Sequence, residues 1–389
     1  MAALSAKNHN NRVIILEKNN RIGKKILVTG NGRCNYTNSL LTENDYNNPD
    51  FVKVVYSHFG YSQTIDFFES IGILPKIENE GKAFPLSEQA SSFLDVFLYE
   101  IIKREIEIKL EFNVKQIKKK SEYFYVIGAN GETVKADKVI LSTGGKAMPL
   151  TGSDGSGYEI AESFGHKLTN IFPALVKLRL DFPYLKHLSG VKINSQVDLI
   201  SNEQLIQSEY GDILFTNYGI SGPTILELSR KANSLLLEGK NVELRVVLIQ
   251  SVSKAKLIDR FFSNPNKSIE QSLIGLVNKK FINVLVKESN IEKNSILIKD
   301  IDKSKILKLV NLLFDLRIKV IGSLNFEEAQ ITAGGVNLND VNSKTLESKL
   351  IPGLFFAGEI LDVDGRCGGF NLQWAWSSGY QAGKYASMD

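Results

Sequence analysis

The sequence predicts an α/β fold in which one sheet-forming domain is written in two halves, with a β-rich unit and a helical unit inserted between them. Three observations carry that expectation. Near the start, the small residues Ala2, Ala3, Leu4 and Ala6 precede a buried-strand run, Val13-Ile14-Ile15-Leu16, which ends in Glu17. Helix, strand, acid is the order of the second half of a βαβ unit. Near the end the pattern returns, with the apolar strand Leu354-Phe355-Phe356-Ala357 and a helix opening after Gly368-Gly369. Between the two, the periodicity changes first to strands and then to lysine-rich helices.

The bulk numbers suit this division. A chain of 389 residues exceeds one ordinary core, so two or three domains are expected. Its 47 lysines and arginines against 43 acids leave +4, spread rather than massed. Lys118-Lys119-Lys120 falls in an alternating stretch, 112–127, that reads as β-hairpins. A phosphate contact there is weighed against a solvated strand end, and the solvated end is favoured because no aromatics or basic helix accompany it. On these grounds no nucleic-acid partner is expected. Two cysteines, Cys34 and Cys367, provide neither a disulfide framework nor a metal cluster, so no metal is expected. No run approaches the roughly 18 apolar residues of a membrane span. The first residues lack the basic and apolar regions of a signal peptide. The expectation is a reduced cytoplasmic protein with no membrane partner.

In chain order, helices are expected over 51–56 and 62–71, with Ser62 as N-cap and Gly72 as stop, and from Ser87-Glu88 to about 103. Strands over 106–110, 112–118, 123–127 and 133–135 read as one meander, turning at Ala129-Asn130-Gly131. Residues 138–141 form a buried strand leading into Ser142-Thr143-Gly144-Gly145, and a helix ends near Gly165. Strands over 175–180, 191–200, 211–215 and 242–249 suggest a barrel or sandwich. Residues 253–319 read as helical, with Ser268-Ile269-Glu270-Gln271 a good helix start. The boundaries are drawn at 1–168, 169–252, 253–319, 320–335 (a return through the β-rich unit) and 336–389.

The chemistry-bearing residues cluster in loops. An acid at the tip of a second strand, here Glu17, accepts hydrogen bonds from ribose hydroxyls, although any strand can end in Glu. Thr29-Gly30-Asn31-Gly32-Arg33-Cys34-Asn35 is more specific. Its glycines let backbone approach a flat cofactor, and Arg33 and Asn35 bring donors for phosphate or ring oxygens. The stretch from Phe356 through Gly358-Glu359 and Asp364 to Gly369-Phe370-Asn371-Leu372-Gln373 crosses from strand to helix N-terminus, where unpaired amides hold developing negative charge. His9, His58, His166 and His187 lie outside every motif and are read as surface or structural.

Here the sequence is similar, essentially end to end, to the BaiN-type or aminoacetone-oxidase-type NAD(P)/FAD-dependent oxidoreductase family. The motifs that carry this are Leu16-Glu17-Lys18, Gly23-Lys24-Lys25, Gly30 to Asn38, Ser142-Thr143-Gly144-Gly145, Phe215 to Pro223, Thr332-Ala333-Gly334-Gly335-Val336 and Gly358 to Gly379. The resemblance implies a discontinuous glutathione-reductase-like FAD-binding Rossmann domain with an inserted β-barrel and a small helical domain. It also implies non-covalent FAD and two-electron chemistry. Carried over motif by motif, the cofactor-binding set is Glu17, Lys18, Lys25, Gly32, Arg33, Cys34, Asn35, Thr143, Gly144, Gly145, Gly358, Glu359, Asp364, Gly369, Asn371, Leu372 and Gln373. Glu17 would take the adenosine ribose, Thr143 and Gly144 the adenine side, Glu359 the ribityl–phosphate region, and Asn371, Leu372 and Gln373 the underside of the isoalloxazine. The flavin itself would do the chemistry, so no protein catalyst is singled out. The Phe215–Pro223 motif is balanced between cofactor contact and structure.

Two further expectations complete the reading. A glycine fingerprint should precede Glu17 by about 20 residues, and the 16 residues before it hold no glycine. The pattern therefore predicts weak FAD binding without an upstream strand and loop. The run Gly152-Ser153-Asp154-Gly155-Ser156-Gly157 has glycines but no preceding strand, so NAD(P)H is admitted as a reductant and not as the ligand of a second dinucleotide domain. The leading function is an FAD oxidoreductase that oxidises a small-molecule amine or reduces an activated C=C or C=O. The alternatives are a tRNA-modifying flavoprotein and a fragment that binds no flavin.

Overall fold

The structure, a computed structural model, describes residues 1–388. It resolves into two compact units, Met1–Pro173 with Phe326–Asp389, and Ala174–Asn325.

In the first unit the small residues at the start do form a helix, Ala2–Ala6, which lies on the carboxyl-terminal helix Phe370–Ala386. Close approach is the reason for their size. A Cβ on Gly383 would stand 2.2 Å from the Ala2 carbonyl oxygen. The strand Ile14–Leu16 runs parallel to Glu107–Lys109, and the helix Ala90–Lys103 leads into that partner. This corrects the expected meander, because its first strand belongs to the parallel layer. Only Val114–Lys120, Tyr123–Gly128 and Thr133–Ala136 form the antiparallel ribbon. The parallel partnership was hidden because a three-residue strand carries little periodicity of its own.

The other parallel pair is Val139–Leu141 with Leu354–Phe356. The parallel strands thus fall into two pairs. Leu354–Phe356 is fully buried, and its second edge is covered by residues 346–348, where the Ser348 amide donates to the Leu354 carbonyl (2.7 Å). Val139 and Ile140 are half-buried, as is all of Ile14–Leu16. Two helix starts also differ from expectation. Gly60, not Ser62, is the N-cap of Tyr61–Ser70, and Gln89 precedes Ala90–Lys103, leaving Ser87-Glu88 in a turn.

The second unit opens with a closed six-stranded barrel: Leu178–Asp181, Gly219–Ser221, Gln204–Phe215, Lys192–Ser201, Val242–Val247 and Leu316–Ser323, the last pairing back with the first. Residues 316–319 were expected to be helical. Their alternation places Leu316, Ile318 and Val320 inside with Arg317 and Lys319 outside, which is a strand period. The helix Pro223–Leu237 was missed, although Pro223 at its first position is a known start signal. The motif from Phe215 to Pro223 serves the barrel: a Cβ on Gly219 would fall 2.0 Å from the Leu178 carbonyl oxygen, and Gly222 sits at φ +111°.

Four helices, Lys254–Phe262, Ile269–Leu273, Lys279–Glu288 and Lys303–Phe314, fill the span between the last two barrel strands. A helix does start at Ser268-Ile269-Glu270-Gln271 as expected, and Ser268 and Gln271 close a capping box there. Barrel and helices share one core, with Phe215 edge-on to Phe281 at 5.5 Å.

Candidate functional site

The first unit brings most of the sequence-selected residues into three adjoining groups. The first surrounds Glu359, which follows the buried strand Leu354–Phe356. Its Oε2 accepts from Lys25 Nζ (3.2 Å) and from the Gly145 amide (3.2 Å), and its Oε1 accepts from the Thr332 amide (2.7 Å). Lys25 also donates to the Ala147 carbonyl (3.0 Å). Thr332, not singled out as a site residue, ties the group together. Its hydroxyl accepts from the Lys146 and Ala147 amides, and a Cβ on Gly145 would lie 2.3 Å from it. Gly144, at φ +74°, turns the chain beside this carboxylate.

The second group lies at the tip of Ile14–Leu16. Glu17 Oε1 accepts from the amide and the side chain of Asn19 (2.8 and 2.7 Å). Asn19 in turn donates to the Thr151 carbonyl and accepts from Lys24 Nζ (3.1 Å). Lys18 pairs with Asp154. Asn19 was also missed, although an Asn two residues past a strand-end acid is a standard turn former. The Gly152–Gly157 run follows a short 3-10 turn, Pro149–Thr151, and opens the helix Ser156–Ser163. Thr143 sits against it, because a Cβ on Gly157 would meet its hydroxyl at 1.9 Å.

The third group joins the Gly30–Asn35 loop to the start of helix Phe370–Ala386. A Cβ on Gly369, at φ +100°, would stand 2.4 Å from the Thr37 carbonyl oxygen and 2.9 Å from Asn35 Oδ1. That Asn35 oxygen is buried without a hydrogen-bond partner. The Gln373 amide is the first in the helix to bond back, to the Gly369 carbonyl, so the amides of Phe370, Asn371 and Leu372 lie ahead of the helix ladder. Asn371 staples the preceding loop, accepting from the Gly365 amide and donating to the Gly365 and Arg366 carbonyls. Asp364 is buried, its amide held by Asn47 Oδ1 (2.9 Å). Gly358, at φ +79°, bridges the first and third groups. Its amide donates to Ser378 Oγ and its carbonyl accepts from Trp374, and no atom lies within 4 Å of the Cβ it lacks. Gly32 is exposed, and its missing Cβ would meet nothing closer than 4.0 Å.

Other side chains in the set point elsewhere. Arg33 lies over the Phe84 ring (4.0 Å) and pairs with Glu78 and Glu88, which hold its guanidinium charged more firmly than usual. Gln373 spends its amide on Thr37, Thr64 and Ser377 inside the core. Leu372 packs into the aromatic cluster around Phe68 and Trp376. Burial pushes the Cys34 thiol up to about 12, and Cys367 meets Gln330 (3.7 Å). Among the histidines, His166 is buried against Ser348 Oγ (2.8 Å) and Phe356, and burial lowers its pKa; His9, His58 and His187 are exposed.

Comparison with known proteins adds independent information. Residues 1–385 match the family described as HI0933-like protein Rossmann domain. The chain is 36% identical over 382 residues to the 3-dehydro-bile acid delta(4,6)-reductase of Clostridium scindens, covering 97% of this chain and 93% of that protein. It is 31% identical over 375 residues to the ribosomal RNA dihydrouridine synthase of Escherichia coli, covering 95% and 90%. Among solved structures, the open conformation of a flavocytochrome c3 fumarate reductase aligns with a TM-score of 0.46 at 16% identity, over 99% of this chain and 75% of that one. No helix among the described residues is long and apolar enough to cross a membrane.

Proposed function

The chain belongs to the HI0933-like Rossmann-domain family of FAD-dependent oxidoreductases, and from that premise we propose that it reduces a carbon–carbon double bond conjugated to a carbonyl group. One observation carries this reading. Two relatives that align over nearly the whole chain bear names for unlike substrates, a bile acid and an RNA, yet both names describe saturation of a ring double bond. The shared step, rather than either substrate, is what the common scaffold supports.

The residues present fit the cofactor. Glu17 keeps Oε2 free while Asn19 holds Oε1, which suits acceptance from ribose hydroxyls. The orphaned Asn35 oxygen is a buried acceptor awaiting a donor, as the imide N–H of a flavin ring provides. The amides of Phe370, Asn371 and Leu372, which lie ahead of the helix ladder, complement an anionic ring edge at the positive end of a 17-residue helix. Lys18, Lys25, Gly32, Thr143, Gly144, Gly145, Gly358, Glu359, Asp364 and Gly369 frame these contacts, while Arg33, Cys34 and Gln373 turn away from them. Among them, Glu359 is already locked by three donors, so it orients its neighbours. When bound, FAD supplies the hydride for such a reduction.

The test uses anaerobically reduced holoprotein mixed with a small cyclic enone and, separately, with a primary amine against the oxidised form. Flavin reoxidation by the enone with a product two mass units heavier is the expected result. Flavin reduction by the amine with no turnover of any enone would overturn the proposal.

A further inference from the structure

We infer that the outer face of helix Ala90–Lys103 is a docking surface for a second copy of this chain, with the two helices crossing antiparallel about Tyr99. The starting point is how this helix is divided. Ala90, Phe93, Leu94, Phe97 and Ile101 turn inward and are buried. A surface helix of this kind is expected to be polar on its other side. Here that side carries Val96, Tyr99 and Ile102 at three-residue spacing, with Tyr99 69% and Ile102 66% exposed.

The apolar surface continues beyond the helix. Val96 lines a groove together with Ile73, Leu74, Pro85, Leu86 and Phe93. Leu74 and Leu86 stand side by side on its rim, because the Leu86 amide bonds the Leu74 carbonyl (2.8 Å), and they are 53% and 61% exposed. Single exposed apolar side chains are ordinary on a protein surface. A contiguous set, Leu74, Leu86, Val96, Tyr99 and Ile102, marks an interaction site.

The charges around Tyr99 select the partner. Residues three and four apart share a helix face, and a two-fold axis through residue i exchanges i−3 with i+3 and i−4 with i+4. Centred on Tyr99, that operation sets Val96 against the second copy's Ile102 and Asp95 against the second copy's Lys103, and each contact occurs twice. Every contact is then apolar on apolar or acid on base. Both charges can be reached. Asp95 is exposed and forms no ion pair among the described residues. Lys103 Nζ keeps a 3.6 Å contact with Glu100, whose carboxylate is held more closely by Arg104 at 2.7 Å. Other occupants fit less well. An anionic membrane or an acidic peptide would set like charge against Asp95, and a wholly apolar partner would strip water from Asp95 and Lys103 without pairing them. The helix that presents the acid also presents its base, as a self-complementary contact between identical chains requires.

The experiment is sedimentation velocity on the full-length holoprotein, over concentrations from about 1 to 100 μM, the range in which a contact of modest area assembles. The native chain is expected to pass from monomer to dimer within it. Asp95→Lys alone and Lys103→Glu alone each bring like charges together twice, and each should weaken self-association at least about 10-fold. Mixed in equal amounts, the two variants regain opposite charges at both contacts. The mixture should form a heterodimer with an affinity within about 3-fold of the native one. Circular dichroism checks that each variant keeps the fold, and association restored by mixing shows independently that both chains are folded. A native chain that stays monomeric throughout, native-strength association in either single variant, or a mixture that associates no more tightly than its components would each overturn the inference.

Discussion

Replacing Gln373 with methionine keeps the side chain's length and apolar stem but removes its amide from a fully buried network. Gln373 is 0% exposed; it accepts from the Thr37 hydroxyl and donates to Thr64 Oγ1 (2.7 Å) and Ser377 Oγ (2.9 Å). The Thr64 and Ser377 hydroxyls still donate to the Gly60 and Phe59 carbonyls. The substitution therefore strands one buried donor, Thr37, and deletes two neutral hydrogen bonds. A stranded donor costs about 1–3 kcal/mol and each neutral bond about 0.5–1.5. Better burial of the thioether recovers part of this, so the expected net loss is about 2–4 kcal/mol. The assay is urea unfolding followed by tryptophan fluorescence. Trp374 and Trp376 are the chain's only tryptophans and follow the substitution by one and three residues, so the signal reports this unit. Adding Thr37→Val removes the stranded donor, and the double variant should be at least about 1 kcal/mol more stable than the sum of the singles predicts. A loss below about 0.5 kcal/mol, or strict additivity, would refute the reasoning. Loss of FAD affinity with unchanged stability would instead return Gln373 to the cofactor.

Three other outcomes are expected. Heat-released flavin is FAD, and Glu17→Ala weakens its binding about 10-fold through loss of a charge-assisted hydrogen bond; equilibrium dialysis of the variant checks this. The native chain leaves Cys34 unmodified by iodoacetamide at pH 8, because burial holds its thiol near 12, and turnover survives Cys34→Ser with Cys367→Ser; rapid native labelling of Cys34 would contradict it. Burial depresses the His166 pKa below its ordinary 6.5, so the unfolded chain takes up that proton first. Stability should therefore fall as pH drops below about 6.5, by at most about 1.4 kcal/mol per unit from this group, and His166→Gln should flatten that limb of the urea-midpoint curve.

The sequence showed the α/β class through the β-branched run Val13 to Leu16 that ends in Glu17 and through Leu354 to Ala357, a buried aromatic strand between Gly353 and Gly358, because such short apolar runs have few other readings. Long motifs carried the family. Position in the sheet was harder: residues 107–109 look like any meander strand, and only tertiary pairing makes them parallel. The end of the helical segment was overrun because Lys303–Phe314 and Leu316–Ser323 are joined by a single residue, with lysines and leucines on both sides. Within the site, Glu359 and Gly145 were assigned to the cofactor, but their keystone Thr332, although inside a motif, was given no role, because its value lies in being a hydroxyl opposite a missing Cβ. Arg33 and Gln373 were legible as residue types; the direction in which each side chain turns was not.

The helices that bear Lys256 and Lys308 are not an appended arm. Phe261, Phe281, Leu309 and Leu313 belong to the same core as the barrel residues Leu199, Phe215 and Leu244. Ordering a lysine-bearing segment of the unfolded chain forfeits roughly 1–2 kcal/mol of backbone entropy per residue. Here the barrel has settled that debt during folding, and the segment's two ends are clamped by adjacent paired strands, Val246 opposite Leu316. Amide exchange in these helices should accordingly be as slow as in the barrel.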